Sequence, residues 1–455
     1  AAVVDHRVPE DVQGRLQGLK LPGLATQRWA ARDYPHGSRA GHLLGGVGRE
    51  GDGLEGVELA FNPALDGRDG RLRYLRDVAR APVWVDDVDY QPPRDGLPVR
   101  LTIDLFVQAI AEDALAAACE KFEAEAGQVI VMNPWTGEVL AMANWPAYDP
   151  ATISDTKPER RRNRCVTDAF EPGSIFKPFV WAVATERGAA KPGERIDCTT
   201  SGVYVSPRGR RLRDSHPVGE ATWAEVLIHS SNIGMAIVAQ RMGETELYQA
   251  VKRFGFGETT GSGLPGESPG IVNPRRRWNH YSVTSVPMGQ EIAATPLQMV
   301  RAFCAITNGG VLVTPTVVPP DDRTLSSRGV EVLSYAAAEQ TRDVLRRVVT
   351  EGTGAPADTE RYPVFGKTGT AESPDLERGG YMDDKYVGSF IGGAPFEDPQ
   401  VVVGCFIRHP NADIGYYGSK VAAPVVSKVI DETLTYLGER GRANSTPTAA
   451  ISNDE

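Results

Sequence analysis

Three short stretches hold side chains that could do chemistry together. In EPGSIFKPF, Ser174 and Lys177 stand three residues apart. A serine hydroxyl is a weak nucleophile at its own pKa, and a lysine can act as its base only when burial or nearby positive potential lowers the amine's pKa. Ile175, Phe176 and Phe179 offer an apolar wall, and the run FVWAVATERG predicts a buried helix whose N-terminus offers the potential. Pro178 fits in the first turn of that helix, where its missing N–H is tolerated, and Ser174 and Lys177 then share one face. HSSNIG carries Ser230, Ser231 and Asn232, and VFGKTGTAE carries Lys367, Thr368, Gly369 and Thr370. The last stretch could grip an anion. A phosphate loop is excluded by spacing, because G-x-x-x-x-G-K-[ST] needs a glycine where Arg361 stands, and Pro374 stops a long helix from following. It reads instead as a strand with a glycine-flanked edge.

Each stretch alone has an ordinary explanation. Lys177 could snorkel from the start of a helix, Ser230 could be a mid-helix hydroxyl bonded back to a carbonyl, and Lys367 could guard a strand edge. The order S-x-x-K, S-x-N, K-T-G is far more specific than any one member.

The elements that must position these residues are legible around them. Asp104 is a plausible N-cap for the helical pattern that runs to Gly127, and GQVIVMNPWTGEVLAMAN is a hairpin turning at NPWTGE. KYVGSFIGGAPFEDPQVVVGCFIRHP is a second hairpin, turning at Glu397-Asp398-Pro399. Between them lie helical stretches, TWAEVLIHSSNIGMAIVAQRMG opened by a Thr222-x-x-Glu225 capping box and SYAAAEQTRDVLRRVVTEGTG stopped by Gly352. Strands first, helices between and strands last give an α+β domain with one antiparallel sheet. The first hundred residues read as a small strand-rich module, and DYQPPRDGLP as the junction after it. This divides the chain into residues 1–97, 98–440 and a disordered polar tail, 441–455.

At 455 residues, with 41% hydrophobic and 24% charged, the chain can bury a large core. A net charge of −10 argues against nucleic-acid binding, which needs a basic face. The runs RRRNR and RRR are read as solvated surface. Five scattered cysteines without a C-x-x-C pair, and histidines without H-E-x-x-H, indicate neither a disulfide framework nor a metal site, and no cofactor is called for. No apolar run reaches 18 residues. The start at Ala1 suggests processing, with an anchor or signal upstream.

Taken together, the three motifs, RDYPHGSRAGHLLGGVG, LTIDLFVQ, MGQEIAATPLQMVRAFCAITNGG and YYGSKVAAPV resemble the class B penicillin-binding proteins, the D,D-transpeptidases that cross-link peptidoglycan. The resemblance covers roughly residues 30 to 435 and implies a five-stranded antiparallel sheet flanked by helices, on an N-terminal pedestal. It implies that Ser174 attacks the D-Ala-D-Ala bond, that Lys177 takes its proton, and that Ser230 relays a proton to the departing D-Ala. Asn232 would bond the substrate backbone and help hold Lys177, with Ser231 structural. Lys367, Thr368 and Thr370 would bind the terminal carboxylate of D-Ala or of a β-lactam, with Gly369 and Gly366 as clearance for a peptide along the edge. The N–H groups of Ser174 and Thr370 would form the oxyanion hole. YYGSKVAAPV resembles division and sporulation members more than elongation members. The implied partners are stem peptides, β-lactams, a SEDS-type glycosyltransferase and other division proteins, at the outer face of the cytoplasmic membrane. The alternatives are a β-lactam sensor, a non-catalytic division scaffold or a D,D-carboxypeptidase. No E-x-x-x-N element of the class A hydrolases follows S-x-N, so turnover of β-lactams should be slow.

Overall fold

A computed structural model describes residues 8, 10–19, 21–24, 31–79, 82–319, 329–375 and 377–445. The centre is one antiparallel sheet. Its strands are β3 (Ala126–Met132), β4 (Val139–Trp145), β5 (Phe365–Pro374), β6 (Tyr381–Ala394) and β7 (Val401–Arg408), in the spatial order β5-β6-β7-β3-β4. Both expected hairpins are present, β3 with β4 and β6 with β7. The strand carrying Lys367 lies at an edge, paired only with β6, where Lys367 opposes Ile391.

Period-2 alternation sends the side chains of the sheet into two cores. Val129 and Val131 pack on one face with Ala111 and Leu115 of helix α1 (Leu105–Lys121). Ile130 and Met132 pack on the other with helix α2 (Lys177–Glu186) and its neighbours. Asp104 caps α1 by accepting from the N–H groups of Phe106 and Val107, as the sequence suggests. The helix ends at Lys121, short of Gly127, because Gly127 already belongs to β3.

The helical stretch from Thr222 proves to be two helices, α3 (Trp223–Ile228) and α4 (Asn232–Arg253). The Thr222–Glu225 capping box opens the first. Ser230 breaks the run with a left-handed φ of 59°, and Ser231 caps the second. Trp181 and Trp223 stack at 5.8 Å between α2 and α3, and each indole N–H is bonded, to Trp223 O and Thr185 Oγ1. These contacts lock the helix of Lys177 to the helix that leads to Ser230. Helix α5 (Pro296–Thr307) and helix α6 (Tyr335–Glu351), which stops before Gly352 as expected, pack in the same layer.

The N-terminal module is less strand-rich than the sequence suggests. Its described residues form the helix Glu10–Gly18, the short helices Gly41–Leu44, Gly56–Ala60 and Asn62–Leu65 and a two-stranded ribbon of β1 (Arg71–Arg76) and β2 (Pro82–Gln91). It grips the rest of the chain through Arg39 on Glu112 at 3.1 Å, and through Arg161 on Glu55 at 3.3 Å. The side chain of buried His42 bonds Arg160 O, and burial lowers its pKa to about 4. At the other end, helix α7 (Ala423–Ser445) runs through the expected start of the polar tail at 441, and 446–455 lie outside the described residues. Among the described residues no helix is long and apolar enough to cross a membrane. All five cysteines are buried and free.

Candidate active site

Ser174 sits in a 3-10 turn, Gly173–Phe176, and Lys177 opens α2 immediately after it, with Pro178 in the first helical turn. The sequence suggests one helix for both. In the tighter turn, residues i and i+3 still lie above one another, so the shared face is kept. The turn is fixed from two sides. Phe176 and Phe179 pack against Phe256 at 5.0 and 5.5 Å, and Gly173 N–H donates to Gly289 O at 3.1 Å. Ser174 is half-buried, which leaves its hydroxyl approachable.

The Lys177 ammonium is fully buried and meets three oxygens: Ser230 O at 2.5 Å, Asn232 Oδ1 at 2.7 Å and Ser230 Oγ at 3.2 Å. The S-x-N motif therefore folds around the lysine three residues beyond Ser174. Burial lowers the Lys177 pKa to about 7, with Asp214 opposing the shift. The amine can then lose its proton near neutrality. When neutral it donates to the two nearer oxygens and keeps a lone pair for a hydroxyl.

Lys367 is also fully buried, on β5. Among the described residues its Nζ meets Thr368 O at 3.2 Å and Thr368 Oγ1 at 3.5 Å, both weak contacts. Burial, and then the charge of Lys177, push its pKa well down, and an anion bound beside it would restore the ammonium. Thr368 Oγ1 shares a 2.6 Å hydrogen bond with Thr353, and Thr370 Oγ1 accepts from Gly418 N–H at 3.1 Å, which frees the Thr370 proton to be donated.

The glycines beside Lys367 have a different cause from the one expected. A Cβ on Gly366 would meet Ile391 O at 2.5 Å and the Phe390 ring at 2.6 Å, and one on Gly369 would meet Ser389 Oγ at 2.5 Å and Ile175 Cγ2 at 2.9 Å. Their clearance serves the chain's own packing. It also brings β5 against the turn of Ser174, since a Cβ on Gly369 would lie 3.3 Å from Ile175 N. Gly369→Ala is therefore expected to destabilise the protein by about 1–3 kcal/mol and to slow acylation by displacing Ile175. Thermal unfolding alongside labelling kinetics checks this, and unchanged values of both would contradict it.

Asp214 was not among the residues singled out in the sequence. Its Oδ1 accepts from Asn232 N–H at 2.5 Å and Ile233 N–H at 3.1 Å, and its Oδ2 from Ser231 Oγ at 2.6 Å. A single aspartate in a loop 18 positions before Asn232 gives no spacing signal. Glu171, three residues before Ser174, accepts from Glu291 N–H and Tyr381 O–H, both at 2.9 Å, and burial raises its pKa.

The model of the penicillin-binding protein transpeptidase domain matches residues 127–431, which include all three motifs. The chain belongs to this family. Among curated relatives, it is 34% identical over 451 residues to stage V sporulation protein D of Bacillus subtilis, covering 96% of this chain and 69% of that protein. It is equally 34% identical to a probable peptidoglycan D,D-transpeptidase, PenA, of Neisseria meningitidis, covering 96% of this chain and 73% of the relative. Penicillin-binding protein 3 of Mycobacterium tuberculosis, solved with aztreonam, superposes with a TM-score of 0.78 at 30% identity over 90% of both chains. The chain is thus a class B penicillin-binding protein, with the expected five-stranded fold, and its division or sporulation character agrees with these relatives. In a member of this family, the meeting of Ser174, Lys177, Ser230, Asn232 and Lys367 about one turn and one strand edge is the candidate catalytic centre.

Proposed function

We propose that the protein is a serine D,D-transpeptidase whose acyl-enzyme forms on Ser174. The observation that carries this is a buried lysine of pKa about 7, one 3-10 turn from a half-buried serine and held by the S-x-N turn. Neutral Lys177 takes the Ser174 proton as Oγ attacks the penultimate D-Ala carbonyl. The N–H groups of Ser174 and Thr370 take up the oxyanion, an interaction whose loss typically costs about 10²- to 10³-fold in rate. The amide bond then breaks, and Ser230 passes the Lys177 proton to the departing D-Ala amine. A second stem peptide supplies an amine, which returns a proton by the same route and attacks the ester, closing the cross-link and releasing Ser174. In a β-lactam the expelled nitrogen stays tethered, so the ester persists.

The fully buried Lys367 supports carboxylate binding, with Thr368 and Thr370 completing the site. The family works in cell-wall synthesis, and we place this member at the outer face of the cytoplasmic membrane. A SEDS-type glycosyltransferase and other division proteins are the proposed partners of the pedestal, on the family resemblance. Stopped-flow mixing with a chromogenic cephalosporin should give one stoichiometric burst, with the adduct mapped by mass spectrometry to Ser174. Steady rapid turnover, or an adduct on another residue, would overturn the reading. Lipid-linked glycan chains should yield peptide dimers and free D-Ala, whereas D-Ala without dimers would mean a carboxypeptidase.

A further inference from the structure

Asp214 follows a short strand, Arg211–Arg213, whose partner is Val203–Val205, outside the three motifs. Its two oxygens hold three consecutive residues of the S-x-N turn: the Ser231 hydroxyl, Asn232 N–H and Ile233 N–H. Next to it, Arg213 O accepts from Asn232 Nδ2 at 2.9 Å. The Asn232 amide is thereby held at both ends, since its Oδ1 takes the Lys177 Nζ–H. The left-handed turn at Ser230 aims Ser230 O at the same amine, 2.5 Å away. A non-glycine residue in that conformation persists only where its surroundings impose it.

We propose that Asp214 is a positioning residue of the acyl-transfer centre, a fixed negative charge that shapes the Ser230–Asn232 turn and sets the proton affinity of Lys177 through it. The inference rests on Lys177 being the base that activates Ser174. Serine, asparagine and backbone N–H groups could be capped by a neutral side chain, so a carboxylate adds something specific: negative potential beside a buried amine. Two charged groups and burial bear on that amine. Lys367 on β5 interacts with Lys177 as a like charge, burial disfavours the ammonium, and Asp214 opposes both. The Cys198 thiol also faces this corner, and its pKa is raised by burial and by Asp214 and Asp197. Among the described residues, no lysine or arginine forms an ion pair with Asp214 that would cancel its charge.

The consequence has a sign. The acylation rate rises with pH as Lys177 loses its proton. Removing the negative charge makes the proton leave more easily, so the rising limb moves to lower pH. Asp214→Asn keeps an oxygen for the two backbone N–H groups while removing the charge. Its limb should fall by about one pH unit, while Asp214→Glu should keep the wild-type midpoint even where its rate is reduced. Asp214→Ala, which also loses the turn's bonds, should acylate about 10- to 100-fold more slowly at every pH.

The measurement is the second-order rate of labelling by a fluorescent penicillin from pH 5 to 9, with the adduct mapped in each variant. A limb in Asp214→Asn identical to wild type, with label still on Ser174, would overturn the inference and leave the proposed function standing. Label away from Ser174 in the wild type would instead refute that function. Should Asp214→Asn not fold, Asp214→Ser carries the same expectation and the same refuting outcome.

Discussion

Lys177→Ala is expected to leave a folded protein that a fluorescent penicillin labels about 10²- to 10⁴-fold more slowly, the usual range for a missing general base. The wild-type rate should rise with pH through about 7, where Lys177 changes charge, and the variant should lack that limb. The sign follows from burial. The ammonium is the disfavoured form, so deprotonation comes early and the neutral amine is available at neutral pH. The fold should survive because the lysine's contacts are to a turn fixed independently, by Asp214 below and by the Ser231 cap. Removing the side chain leaves Ser230 O and Asn232 Oδ1 with room for water, and it also removes a buried amine that water would have solvated better. Labelling kinetics with circular dichroism decide the matter. A wild-type rate in a folded variant, or a rising limb that persists, would assign the base to another residue.

What could be read beforehand was what is local. The hairpins turning at NPWTGE and Glu397-Asp398-Pro399, the Asp104 cap and the Thr222–Glu225 box are each written in residues that touch their own neighbours. The candidate site residues stand out by the order of their motifs, and the fold brings Lys177 against Ser230 and Asn232. What could not be read was imposed from a distance. The run from Thr222 has helical spacing throughout, and it breaks at Ser230 because Asp214 and the Ser231 cap hold the residues that follow. Gly366 and Gly369 looked like room for a substrate, but their neighbours Phe390, Ser389 and Ile175 come from a paired strand and from the nucleophile's own turn. The helices of the pedestal are not legible because its Gly- and Asp-rich pieces signal turns without saying what lies between them. In this structure much of that is single-turn helix.

Lys367→Ala should slow acylation by penicillin about 10²- to 10³-fold, the loss expected when one partner of a buried charge pair is removed. Lys367 is buried with only Thr368 oxygens near its Nζ among the described residues, and Lys177 adds a like charge. An incoming carboxylate reverses that balance by pairing with the ammonium, so its binding should draw a proton into the site. A cycle separates this role from simple structural damage. In the wild type, benzylpenicillin should acylate far faster than its methyl ester, which carries no charge there. In Lys367→Ala the acid and the ester should react at nearly the same rate, because the group that tells them apart is gone. A variant that is merely misfolded would lose rate toward both and keep their ratio. Preference for the acid retained in Lys367→Ala would place the anion site elsewhere, and the strand edge would then owe its buried lysine to packing alone.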